Sequence, residues 1–133
     1  MDPFKHSALT SILVISNMAH AKEFYVKKLG AKIYREYGGN SLVLEFLGNW
    51  LLLVTPGGPT KDKPETSFTP PINKHKVSHS FTIRVQDCKQ SFEILKERGV
   101  KFITAPVDHG AETRCFFHDP DGHLFEISEY RQQ

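Results

Sequence analysis

The sequence has no long hydrophobic run and no large surplus of charge of either sign. Its longer apolar stretches, such as Trp50 to Val54, are far shorter than the roughly 20 residues of a membrane-spanning helix. The first residues, Met1 to Phe4, do not begin a signal peptide. The formal net charge is only +2 and the lysines are dispersed, which disfavours a nucleic-acid-binding surface. We therefore expect a cytoplasmic protein that binds neither membranes nor nucleic acids.

Cysteine is also scarce. Cys88 and Cys115 are the two cysteines, and they form no CxxC motif, so we expect reduced core residues and neither a disulfide nor a zinc framework. A chain of 133 residues with 39% hydrophobic and 24% charged residues suits one folded domain, and it should bury roughly two-thirds of its unfolded surface. We therefore expect residues 1–133 to form a single domain.

The first half of the chain predicts a strand, a helix and three further strands. Residues 8–16 are apolar and rich in β-branched side chains, which is typical of a buried strand. Asn17 is placed to cap a helix that Gly30 would end. Three strand-like segments follow, separated by Gly and Asn: residues 31–37, 41–47 and 50–55. Residues 8–55 thus form a predicted βαβββ module.

A proline-rich connection separates this module from the second half. Five of the eight prolines fall in residues 56–78, where they would interrupt any ladder of backbone hydrogen bonds. We predict a long surface segment here.

The second half, residues 79–130, repeats the pattern of the first. Asp87 is placed to cap a helix that Gly99 would end. The Asp-Pro-Asp-Gly sequence ending at Gly122 predicts a tight turn between the last two strands. The predicted strands are residues 80–85, 101–104, 113–118 and 123–129.

Alignment of the two halves makes Gly30 equivalent to Gly99 and Leu52 equivalent to Glu126. Modules this short cannot each bury a sheet face alone. We expect them to share a cavity, either within one chain or through a dimer.

Two motifs carry a resemblance to a known family. The helix end Phe24-Tyr25-x-x-x-Leu29-Gly30 and the stretch Phe116-Phe117-His118-Asp119-Pro120-Asp121-Gly122-His123-Leu124-Phe125-Glu126 resemble the vicinal oxygen chelate superfamily of glyoxalase I, bleomycin-resistance proteins and extradiol dioxygenases. The resemblance implies an α+β fold in which two βαβββ modules form a curved mixed sheet around a central cup. It also implies a small-molecule ligand and a homodimer.

In metal-using members of this superfamily, four side chains from the first and last strands of the modules hold a divalent ion. The corresponding positions here are Thr10, Leu52, Ser80 and Glu126, of which only Glu126 is a strong ligand. A shift of one residue would replace Ser80 by His79, and the two registers exclude each other because the shift turns the side chain to the other face of the strand.

Two functions follow from these alternatives. The first is a protein that binds a small, partly apolar molecule in its cup and has no predicted cofactor. The second is a glyoxalase I-type lyase, an epimerase or a dioxygenase, with Glu126 as catalytic base and Glu126 and His79 holding Zn, Ni, Fe or Mn. The predicted cup residues are Thr10, Trp50, Leu52, Ser80, Thr82 and Phe116, and aromatic side chains available around the cup are Phe46, Trp50, Phe81, Phe116 and Phe125.

Overall fold

The computed structural model of the chain describes residues 1–131 and contains two four-stranded sheets. The first half forms β1 (Thr10–Val14), α1 (Met18–Lys22), a π-helical continuation of α1 (Glu23–Lys28), β2 (Lys32–Tyr37), β3 (Ser41–Phe46) and β4 (Asn49–Val54). The second half forms β5 (Phe81–Arg84), α2 (Cys88–Glu97), β6 (Val107–Asp108), β7 (Glu112–His118) and β8 (Leu124–Tyr130).

The sheets have the same topology. The strand order is β1-β4-β3-β2 in sheet 1 and β5-β8-β7-β6 in sheet 2. In each sheet the first and last strands of the module are parallel, and the other neighbours are antiparallel. Ile12 pairs with Leu52 as Thr82 pairs with Glu126. This register confirms the equivalence of Leu52 and Glu126, and with it the duplicated α+β fold.

Both helices begin and end at the residues predicted from the sequence. The Asn17 side chain accepts a hydrogen bond from His20 N at 2.9 Å, and the Asp87 side chain accepts one from Gln90 N at 3.0 Å. Gly30 and Gly99 follow the helices with φ of 83° and 95°, a conformation that glycine adopts without strain.

The first helix widens in its second half. Leu29 N donates to Phe24 O at 3.0 Å, a bond across five residues that defines a π-helical turn. Phe24 and Tyr25, three and four residues after the buried Ala21, are both buried on the core-facing side of this helix.

One core joins the helix-facing sides of the two halves. The Phe24 ring lies 6.1 Å from Phe117, and the fully buried Tyr25 ring lies 6.0 Å from Phe125. Phe117 and Phe125 stack at 5.3 Å, so residues of the first module pack directly on sheet 2.

Polar contacts at the tight turn join the halves as well. Tyr25 Oη donates to Asp119 Oδ2 at 2.6 Å, and the Asp121 carboxylate accepts from Ser16 N at 3.1 Å. His123 Nε2 donates to Val14 O at 2.8 Å. We call these contacts the inter-module latch. Gly122 has the positive φ, 98°, that the predicted turn requires.

One predicted strand is wrong. Residues 101–104 contribute a single bridge, between Phe102 and Phe117, and β6 forms further along the chain at Val107–Asp108. Phe102 is held by ring contacts with Phe92 and Phe117, whereas Pro106 has no N–H to continue the ladder. The connection forms turns and isolated bridges, such as Gly57 with Phe68. No helix among the described residues is long and apolar enough to cross a membrane.

Candidate functional site

Alternation along the strands gives each sheet a helix-facing side and an open side. In β4, Leu51 and Leu53 are buried, so Trp50 and Leu52 lie on the opposite side of the sheet. In β8, Phe125 and Ile127 belong to the core, while Glu126 and Ser128 lie on the opposite side and are buried there among polar neighbours. We define the open face of sheet 1 as Thr10, Ile12, Val43, Trp50 and Leu52, and the open face of sheet 2 as Thr82, Arg84, Arg114, Phe116, Glu126 and Ser128.

The open face of sheet 1 is largely apolar and partly exposed. The Tyr34 ring lies 5.0 Å from the Trp50 ring, edge to face. A groove of about 440 Å³ runs over this face, lined by Ala8, Thr10, Ile12, Tyr34, Tyr37, Val43, Trp50 and Leu52. All of these residues belong to the first half of the chain, so one module alone forms this groove.

The open face of sheet 2 carries Glu126 near its centre. Glu126 Oε1 accepts a hydrogen bond from Thr82 Oγ1 at 2.8 Å, and Oε2 lies 3.8 Å from Arg114 Nε. Glu126 is only 8% exposed. Its carboxylate is therefore held by one hydroxyl and faces one guanidinium at a distance that leaves room for a further donor.

A second carboxylate binds the two arginines of this face. Glu112 accepts hydrogen bonds from Ser128 Oγ at 2.5 Å, Arg114 Nη1 at 2.8 Å and Arg84 Nη1 at 3.3 Å. These bonds, that from Ser128 most of all, lower the pKa of Glu112. Because Glu112 and Glu126 balance both arginines, the face is polar without a net charge.

The structure places Thr82 directly beside Glu126 and the other first-strand candidates elsewhere. Ser80 precedes β5 and is two residues from Thr82, on the same side of the chain by alternation. The His79 ring packs against the Phe81 ring at 4.7 Å and lines a groove beside the connection. The structure does not bring His79 to Glu126.

The same two-residue separation is found in sheet 1. Ile12 lies opposite Leu52, and Thr10 lies opposite Trp50, two residues earlier. Ile12, which pairs with Leu52, was not among the predicted cup residues. The internal repeat indicates this residue, since the alignment of Leu52 with Glu126 also aligns their strand partners, Ile12 and Thr82.

Four of the five predicted aromatic residues converge on a second cavity. This inter-module pocket of about 250 Å³ lies between the two halves, and Thr82 also lines it. Its aromatic lining is Phe46, Trp50, Phe81 and Phe125. Phe81 and Phe125 stack at 4.8 Å. Phe116, the fifth, lies on the open face of sheet 2 opposite Glu126.

Both cysteines are buried and belong to the core. Burial raises the pKa of the Cys115 thiol to about 12 and also raises that of Cys88. Neither thiol is a candidate nucleophile, because the thiolate is the reactive form.

Residues 5–127 match the family model of the Glyoxalase/Bleomycin resistance protein/Dioxygenase superfamily. The chain belongs to this superfamily. Among similar solved structures is a mobile-metagenome protein of V. Pseudocholerae, with 26% identity, TM-score 0.70 and 99% of each chain covered. The fosfomycin resistance protein FosX of Listeria monocytogenes has 14% identity and TM-score 0.69, over 94% of this chain and 93% of that one. TnmS3, an antibiotic-binding protein of Streptomyces, has 21% identity and TM-score 0.66, over 93% and 95%.

The donors at the superfamily's four metal positions do not fit a tightly held ion. The four positions assigned from the resemblance, Thr10, Leu52, Ser80 and Glu126, supply one carboxylate and two hydroxyls. Their strand neighbours Ile12 and Thr82 add neither an imidazole nor a second carboxylate. Within residues 1–131, no group of three or more His, Cys, Asp or Glu side chains could hold a metal ion.

Proposed function

We propose that this protein binds a small, partly aromatic molecule directly, in a cup with one apolar wall and one polar wall. The observation that carries the proposal is the pairing of Ile12 with Leu52 at the positions where the other half has Thr82 and Glu126. A site of this kind binds through apolar contact and uses a few polar groups to orient its ligand.

The apolar wall is the open face of sheet 1. Tyr34 and Trp50 provide ring surfaces beside the groove of about 440 Å³. Leu52 lines the same groove from β4, the strand between β1 and β3. Removing an aromatic body from water into such a groove stabilises the complex in proportion to the apolar area covered.

The polar wall is the open face of sheet 2. Glu126 accepts a hydrogen bond from the ligand, while Thr82 holds the carboxylate in place. Arg114 lies beside Glu126 and is tied by Glu112, so it orients an acceptor on the ligand without a large movement of its own.

A second copy of the chain brings the two walls together. Within one chain the halves meet through their helix-facing sides and the inter-module latch. Ile12, Tyr34 and Tyr37 are 48%, 62% and 52% exposed, a concentration of apolar surface that marks a contact region. The proposed protein is therefore a homodimer in which the open face of sheet 1 in one copy meets that of sheet 2 in the other.

Trp50 allows a direct test, because it is the only tryptophan in the chain. Aromatic antibiotics are titrated while Trp50 emission is recorded, and sedimentation measures the mass of the complex. We expect saturable quenching by at least one compound in a dimeric protein. Leu52→Glu should weaken that binding about tenfold or more, since it places a charge in the apolar wall. Ile94→Glu, on α2, is the matched control and should leave it unchanged.

A second candidate function is favoured by the near-complete burial of Glu126. A carboxylate with 8% exposure and a single hydroxyl donor is suited to proton abstraction. An enzyme of this kind would lose turnover in Glu126→Gln and keep it in Leu52→Ala. A binding protein would instead lose ligand affinity in Leu52→Ala and keep more of that affinity in Glu126→Gln. Equilibrium dialysis that finds a stoichiometric divalent ion of about micromolar affinity would contradict the metal-free proposal.

A further inference from the structure

A groove of about 550 Å³ lies where the carboxyl ends of both helices, the connection and the end of β7 meet. Five basic side chains from four separate segments line it: Lys28, Lys74, His75, Lys101 and His118. We call it the basic groove. It shares no lining residue with the open faces or with the inter-module pocket, so it is separate from the proposed cup.

The lysines of this groove are not matched by carboxylates. Within the part of the chain that the structure describes, no acidic oxygen lies within 4.0 Å of the amino groups of Lys28, Lys74 or Lys101. Lys28 Nζ donates to Gly99 O at 3.3 Å, which ties it to the end of α2. The amino groups of Lys74 and Lys101 remain available to a ligand.

The one carboxylate in the lining, Asp119, is already bonded. It is 4% exposed, and its Oδ2 accepts from Tyr25 Oη at 2.6 Å. Its Oδ1 accepts from the backbone N–H groups of Asp121 and His123 at 3.0 and 2.8 Å. Asp119 therefore serves the inter-module latch, and its single charge against three lysines leaves a net excess of two positive charges.

The floor of the groove is apolar. Phe102 lies 4.8 Å from Phe92 and 5.2 Å from Phe117, both edge to face, and these contacts fix its ring. Phe24 and Pro120 continue the apolar surface. Such a floor accepts a flat ring, while the basic rim accepts an anion attached to it.

His118 joins the connection to this site. Its Nε2 donates to Lys74 O at 3.2 Å, and its ring lies 6.5 Å from that of His75. The connection also packs closely on the tight turn, where a Cβ on Gly122 would come within 2.9 Å of Lys74 Cβ. These contacts hold Lys74 over the groove although it belongs to a segment without helix or strand.

We propose that the basic groove binds a small molecule that carries a phosphate or carboxylate group on an aromatic ring. The lysines attract the anion, and the phenylalanine floor supports the ring. This site adds a second ligand to the protein and does not depend on the function proposed for the cup.

The test is calorimetric titration of the full chain with phenyl phosphate, benzoate, inorganic phosphate and phenol. We expect saturable binding of phenyl phosphate or benzoate, weaker as salt is raised, since lysine attraction is screened. Inorganic phosphate lacks the ring and phenol lacks the charge, so each should bind at least about tenfold more weakly. Equal binding of inorganic phosphate, or no binding of either aromatic anion, would overturn the proposal.

Variants locate the bound anion. Lys74→Ala combined with Lys101→Ala should weaken phenyl phosphate binding about tenfold, and Lys5→Ala combined with Lys61→Ala removes the same charge at exposed sites outside the groove. A similar loss in both double variants would overturn the proposal, because it would show attraction to net charge alone. Leu52→Glu should leave phenyl phosphate binding intact, which separates this result from any failure of the proposed cup.

Discussion

The two open faces of this molecule are built on the same scaffold and have opposite chemistry. The position that is Leu52 in sheet 1 is Glu126 in sheet 2, and its parallel neighbour is Ile12 in one and Thr82 in the other. The helix-facing positions show no such divergence, since Leu53 and Ile127 are both apolar and fully buried. A shared core constrains one side of each strand, whereas the other side is free to acquire a binding function.

The largest expected effect contrasts the two sides of β4. Leu53→Ala should lower the free energy of unfolding by about 2–5 kcal/mol, because it leaves a cavity in the shared core. Leu52→Ala, one residue earlier on the open face, should cost well under half as much. Urea denaturation of both variants measures the difference, and equal losses would mean that the open face is covered within one chain.

The next effect concerns the latch between the halves. Tyr25→Phe removes the hydrogen bond to Asp119 and leaves a buried carboxylate with one partner fewer. We expect a loss of about 1–3 kcal/mol in the free energy of unfolding. Tyr34→Phe, at an exposed tyrosine of sheet 1, is the control and should change stability little. A neutral result for Tyr25→Phe would show that the latch is not needed to hold the halves together.

The same latch predicts a dependence on pH. Burial raises the pKa of Asp119, although Tyr25, His123 and two backbone N–H groups act against this. The folded protein therefore holds the Asp119 proton more tightly than the unfolded chain. This contribution to stability falls as pH rises from the ordinary carboxyl range through the raised pKa of Asp119. Asp119→Asn should become more stable relative to the unmodified protein over that interval, as measured by urea denaturation at a series of pH values.

Asp2→Asn, near the exposed amino terminus, is the control for this series and should show no such trend. A trend of the opposite sign for Asp119→Asn would mean that hydrogen bonding outweighs burial at this carboxylate.

The smallest effect is expected on the open face of sheet 2. Glu126→Leu makes this position like its equivalent in sheet 1, and Arg114 keeps its bond to Glu112. Thr82 is exposed, so water replaces the lost acceptor. We expect stability to change by no more than about 1 kcal/mol, because neither Arg114 nor Thr82 is left without a hydrogen-bond partner and leucine is readily buried at this position. A larger loss would assign Glu126 a structural role and weaken its place in the proposed cup.

Much of the fold followed from local patterns in the sequence. Asn17, Asp87, Gly30 and Gly99 mark the ends of the helices because capping and positive φ depend on a few neighbouring residues. The tight turn before β8 follows from its proline and glycine in the same way.

The less accurate predictions involve longer-range contacts. The strand expected at residues 101–104 is replaced by packing of Phe102 on Phe92 and Phe117, which lie far from one another in sequence. The packing of Phe24 and Tyr25 on Phe117 and Phe125 of sheet 2 likewise joins segments far apart in sequence. Periodicity within one segment contains no information about such partners.

The sequence by itself determined the repeat, the helix ends and the chemical contrast between Leu52 and Glu126, because these depend on residue type and spacing. Only the tertiary structure decided which first-strand residue lies beside each of them, since pairing between distant strands sets the register. It also decided that His79 packs on Phe81, and that lysines from distant segments border one groove. Those arrangements arise from the folding of remote segments onto a common core.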